Sequence, residues 1–154
     1  MPTRRRFAGL ALVLALGLVA SESSAEVSVR NAWIAATVKG QQSSAAFMQL
    51  ESEEACVLTG ARTPSAAMVG VHAMSIEDGV MKMRDLDTLP LPARQTVELK
   101  PGGAHLMMMD LKQQLKAGQS IPLVLGFECS GQAAGKRAFE QKLLVPVRDR
   151  ARGQ

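Results

Sequence analysis

His72–Met107 reads HAMSIEDGVMKMRDLDTLPLPARQTVELKPGGAHLM, and its punctuation and alternation decide the fold. The extended segment Met68–Met74 leads into it, with Gly70, His72 and Met74 on one side and Val69, Val71 and Ala73 on the other. Glu77-Asp78-Gly79 then carries Asp-Gly, the dipeptide suited to a two-residue hairpin turn. Val80–Met83 returns as a strand that puts Met81 and Met83 on a common face. Leu89-Pro90-Leu91-Pro92 is an extended stretch that no helix can hold. Gln95–Leu99 is a further strand, and Lys100-Pro101-Gly102-Gly103 a turn. After the turn, His105, Met107 and Met109 share one strand face.

The same short period runs outward in both directions. Glu26–Trp33, Ala45–Leu50 and Cys56–Gly60 precede the stretch as strands. Ile121–Phe127 and Ala138–Val147 follow it. Leu111–Ala117 reads either as a helical turn or as a loop. Nine short strands at this spacing, with no amphipathic helix of three turns, predict an all-β sandwich of Greek-key type. Pro122 and Pro146 sit near strand ends, where edges and bulges tolerate them.

The chain has 154 residues, enough for one domain with a core. Residues 1–25 read as a cleavable signal peptide. Arg4, Arg5 and Arg6 form a basic head, Phe7–Ala20 an apolar run, and Ser23-Ser24-Ala25 a small-residue cleavage site. An uncleaved anchor is the alternative; the apolar run falls short of the ~20 residues that span a bilayer. The arginines fit a Sec or a twin-arginine signal. The mature domain is then 26–147, followed by a short basic tail, 148–154. Export predicts a periplasmic protein with no stable membrane insertion after cleavage. Without the signal's three arginines and Glu22 the net charge falls from +4 to +2. No basic stripe interleaved with aromatics remains, so nucleic acid is not an expected partner. Cys56 and Cys129 form a disulfide in that compartment or remain two thiols, one of them a further metal donor; geometry decides.

The metal chemistry is concentrated in the opening stretch. It holds both histidines of the chain, His72 and His105, and four of its nine methionines, Met74, Met81, Met83 and Met107. Thioether sulfur is a soft donor and imidazole a borderline one, a combination that suits Cu(I) better than zinc, magnesium or calcium. His105 and Met107 lie on one strand face with Cα atoms about 7 Å apart. His72 and Met83 flank the Asp-Gly hairpin and are expected across from one another. Together the four give a neutral two-nitrogen, two-sulfur set. Met48, Met68 and Met108 are expected in the core, where methionine is a common gap-filler. Met74 and Met109 share the histidine face and are open between core and spare donor.

His72, ten residues, Met83, twenty-one residues, then His105-x-Met107 is the spacing of the PCu(A)C periplasmic copper chaperones, which this sequence resembles. Val29-Arg30-Asn31-Ala32-Trp33, Gly79-Val80-Met81-Lys82-Met83-Arg84 and Leu99-Lys100-Pro101-Gly102-Gly103 also look familial. The resemblance runs from about Val27 to Val147. It implies a cupredoxin-like β-sandwich with an exposed Cu(I) site whose ligands are His72, Met83, His105 and Met107. It implies a carrier that delivers copper toward the CuA centre of cytochrome c oxidase or a related oxidase; a monomer that is not an enzyme is expected. The partner is then a copper-accepting oxidase subunit or another copper chaperone. Two positions depart from the family pattern. Cys129 follows Glu128 where an acidic residue and glycine are common, and the end VRDRARGQ lacks the His/Met-rich tail of some members.

A copper buffer for resistance would need the same residues. A blue-copper electron-transfer protein would need a cysteine beside a histidine, and no histidine follows Cys129. The chain carries no HExxH, no nucleophile elbow and no C-x-x-C pair, which argues against hydrolase and thiol oxidoreductase classes.

Overall fold

The computed structural model describes residues 27–131 and 135–150. The leader assigned to residues 1–25 and the end of the basic tail, 151–154, lie outside the described residues. Ten strands follow in order: β1 (Ser28–Ala35), β2 (Ser43–Glu51), β3 (Ala55–Arg62), β4 (Ala66–Glu77), β5 (Val80–Leu86), β6 (Leu89–Leu91), β7 (Val97–Leu99), β8 (His105–Leu111), β9 (Ser120–Gly131) and β10 (Gly135–Arg148). No helix of the described residues is long and apolar enough to cross a membrane.

The strands make the β-sandwich that the alternation predicts. One layer runs β5-β4-β8-β2-β1 and the other β10-β9-β3-β6. β10 belongs to both: Gly135–Pro146 pairs antiparallel with β9, then Val147 and Arg148 pair parallel with Ile34 and Ala35 of β1. Period-two patterning fills the space between the layers. β9 turns Ile121, Leu123, Leu125, Phe127 and Cys129 inward. Ile34, Ala46, Met48, Leu50, Val71, Leu106 and Met108 meet them from the facing layer. Each large side chain buried this way contributes about 1.5–3 kcal/mol. Cys56 and Cys129 are direct cross-strand partners on β3 and β9 and are joined in a disulfide.

The structure departs from the sequence expectations at several points. A tenth strand, β6, is the Leu-Pro-Leu segment, which pairs with β3 at the edge of its layer. Pro90, which has no N–H to donate, fits an edge, while Leu89 and Leu91 are buried. The segment Leu111–Ala117, read as a helical turn or a loop, is a loop beyond the end of β8. Leu115 is fully buried there, and its backbone bonds to Thr37 in place of a helical ladder. Met68 is 56% exposed, not in the core. It lies an even number of residues from His72, so the pleat turns both outward.

β1 contains a bulge. Its register against β2 shifts between Arg30 and Trp33, with Asn31 at φ 52°. Asparagine tolerates this left-handed backbone better than most residues. The extra residue reverses the faces of β1: Val27 and Val29 face the core before it, Ile34 after it. Trp33 is thereby turned to the outer face, opposite Phe47. Trp33, Ala35, Ala45 and Phe47 form a second apolar cluster there.

Candidate functional site

The outer face of the first layer carries the histidines. β8 turns Leu106 and Met108 into the core, so His105, Met107 and Met109 point outward. β4 does the same with Met68, Gly70, His72 and Met74, opposite to core-facing Val71. The antiparallel register makes His72 and His105 direct partners and sets Gly70 opposite Met107. On the other side of β4, Asp85 is opposite His72 and Met83 is opposite Met74.

His72 and Met83 are therefore diagonal neighbours and not facing ones, a correction to the expectation from the hairpin. The diagonal still brings them together, with Nδ1 of His72 3.2 Å from Sδ of Met83. A nitrogen and a sulfur bound tetrahedrally to one ion, at metal distances of about 2.0 and 2.3 Å, stand about 3.5 Å apart. The remaining nitrogen of His72, Nε2, is 3.1 Å from Oδ1 of Asp85. Nδ1 of His105 is 3.0 Å from the carbonyl oxygen of Gly103, to which it can donate. Each imidazole thus has one nitrogen anchored and the other free to take a metal, the usual outer-sphere arrangement of a histidine ligand.

Gly103 reaches His105 because β7 and β8 share one edge of β2, Leu99 pairing with Met48 and Leu106 with Ala46. The turn between them loops outward, closed by the Gly103 amide donating to the Lys100 carbonyl at 3.0 Å. Its residues Pro101 and Gly102 wall a cavity of about 290 Å³, together with Trp33, Phe47, Met74, Met83, His105, Met107 and Arg150. Trp33, Phe47, His105, His72 and Asp85 form a row across five strands. Successive ring centroids are 4.6, 6.3 and 5.9 Å apart.

Exposure differs across the four sequence-assigned residues. Met83 is 51% exposed and Met107 half-buried, whereas His72 and His105 are only 8% and 5% exposed. The two imidazoles are thus buried, whereas Met83 keeps about half of its surface in solvent. Among the described residues no three of His, Cys, Asp and Glu form a group able to hold an ion. A full donor set on this face needs thioether sulfur, which favours a soft ion.

Sequence reading missed Asp85, Gly70, Trp33, the Gly103 carbonyl and Arg150. Asp85 carried a signal, standing two residues from Met83 on the same strand face. A Cβ on Gly70 would lie 2.9 Å from Nε2 of His72, so the missing side chain is what admits the imidazole. Trp33 arrives only through the bulge. Arg150, assigned to the short basic tail, lines the cavity; its guanidinium is donor-only and adds no metal ligand.

Comparison with known proteins places the chain. Residues 27–136 match the LpqE-like family, described as "Putative lipoprotein LpqE-like". "Putative lipoprotein Lxx21020" of Leifsonia xyli subsp. xyli (strain CTCB07) is 30% identical over 124 residues, 80% of this chain and 70% of that protein. Among solved structures, CuI-DR1885 from Deinococcus radiodurans is 28% identical with a TM-score of 0.62, over 87% of each chain. A copper-bound PCuAC domain from PmoF2 is 19% identical with a TM-score of 0.62, over 82% of this chain and 96% of that one. The sandwich described above is thus the PCuAC-domain fold.

Proposed function

The chain belongs to the LpqE-like family, and from that premise and the site geometry we propose that it is a carrier of Cu(I). His72, Met83, His105 and Met107 hold the ion, and the protein hands it to an acceptor outside the cytoplasm. The acceptor is a copper-accepting oxidase subunit, such as one carrying a CuA centre, or another copper chaperone. One observation carries the reading: Nδ1 of His72 and Sδ of Met83 stand 3.2 Å apart while Nε2 of His72 is held by Asp85. The copper-loaded state of the similar DR1885 supports it.

The chemistry suits carriage over retention. Two imidazoles and two thioethers are neutral donors, and no thiolate locks the ion. Met83, the most exposed of the four, is the ligand that an acceptor's donors reach first, so exchange begins there. Both cysteines are spent in the disulfide, which speaks against a blue-copper centre because that chemistry needs a thiolate.

The test is metal analysis of the purified protein after separate incubation with Cu(I), Cu(II) and Zn(II), followed by competition with a Cu(I) chelator at fixed pH. Cu(I) is expected to be retained at one tight equivalent. Met107→Leu is expected to weaken it sharply, while Met108→Leu, in the core, keeps full affinity. Both are near volume-conserving and should cost the fold less than about 1.5 kcal/mol. Equal Cu(I) affinity in Met107→Leu and wild type would sink the site.

A further inference from the structure

Six methionines lie on the outer face of β4, β5 and β8, and the proposed copper ligands use only two of them. At one end of this face Met68 and Met109 are direct cross-strand partners. Met68 is 56% exposed, so it fills no gap in the core, the ordinary use of a methionine. Met107 lies two residues from Met109 on the same face and diagonal to Met68. Opposed side chains have Cβ atoms about 4.5–5.5 Å apart and diagonal ones somewhat more, within reach of long side chains. Three thioethers can therefore converge. Gly70 stands opposite Met107, and the Cβ it lacks would lie 3.6 Å from Cε of Met109 and 2.9 Å from Nε2 of His72. The methyl end of Met109 thus leans into the same space that admits the imidazole.

We propose a second, weaker site for a soft monovalent cation, Cu(I) or its analogue Ag(I), formed by Met68 and Met109 with Met107 shared. All three donors are uncharged sulfurs, which select soft ions and supply no imidazole or carboxylate for zinc or calcium. Because Met107 also belongs to the proposed His–Met set, an ion held by Met68 and Met109 needs to exchange only the other ligands to pass inward. The shared residue makes this a loading position for that set, and in this respect the inference rests on the function proposed above.

Anaerobic titration with Cu(I), read by native mass spectrometry and chelator competition, separates the two sites. Wild type is expected to take one tight and one weak equivalent. Met68→Leu with Met109→Leu is expected to take the tight equivalent alone, at unchanged affinity. Leucine keeps the volume and apolarity of methionine, so folding of this pair is not at issue. A weak equivalent that survives Met83→Leu with His105→Ala, and vanishes with Met68 and Met109, supports the second site even if the tight one proves to be built otherwise. A wild type that stops at one equivalent overturns the proposal, as does a double variant that still takes two. Loss of the weak equivalent in Met81→Leu instead of the Met68–Met109 pair would also overturn it.

Discussion

Gly70 shows how much of the site depends on an atom that is not there. Its missing Cβ leaves room for Nε2 of His72, and with alanine the imidazole must swing away from Asp85, Met83 or both. Gly70→Ala is expected to weaken Cu(I) binding by about 10–100-fold, the usual effect of disturbing what orients a ligand. The apo melting temperature should change little, since position 70 is on the outer face; chelator competition beside thermal unfolding checks both. Trp33 offers a second probe, being the only tryptophan in a chain without tyrosine. It lines the cavity with Met83 and His105. Its emission is expected to change with the tight equivalent of Cu(I) and not with the weak one, in a fluorescence titration. Of these residues only the histidines and methionines were legible in the sequence, because their donor atoms and spacing carry chemistry. The role of a glycine beside an imidazole depends on cross-strand register, which spacing alone does not give.

At the level of the element, period two was readable wherever a strand stays regular. The Asp78-Gly79 hairpin formed as its residues dictate, both with positive φ, and the shared face of His105 and Met107 follows from the pleat. Where a strand breaks its own period the reading failed. The bulge at Asn31 reverses the faces of β1, and nothing in the pattern of apolar residues marks the reversal. Met68 differs: lying outside the His–Met cluster, it is expected in the core, although its parity matches that of His72. Asn31→Val tests the bulge. A β-branched residue at positive φ should cost about 1–2 kcal/mol, and relief of that strain would turn Trp33 off the outer face. A lower denaturant midpoint with an altered apo Trp33 emission is the expected pair of results. Unchanged emission would mean that the bulge does not set the face of Trp33.

Over the whole molecule, the two layers divide the work. The proposed donors lie on the outer face of one layer, and the disulfide joins neighbouring strands of the other. Cys56→Ser with Cys129→Ser is expected to lower stability by roughly 2–5 kcal/mol, read by denaturant unfolding, while leaving the tight Cu(I) equivalent intact. Copper lost by a variant that is still folded would bring sulfur from that layer into the site. The sequence left this bridge open because two cysteines 73 residues apart declare nothing about their distance. The same long reach governs the strand that belongs to both layers. β1 gains its second neighbour only when Val147 arrives beside Ile34, more than a hundred residues downstream. A nascent polypeptide emerging from the ribosome has no means of closing that seam until Val147 has been made. Contacts of such high order form slowly, on the order of milliseconds to seconds. The two layers therefore stay separable until the last described strand docks, and the seam between β1 and β10 is the last pairing the chain can complete.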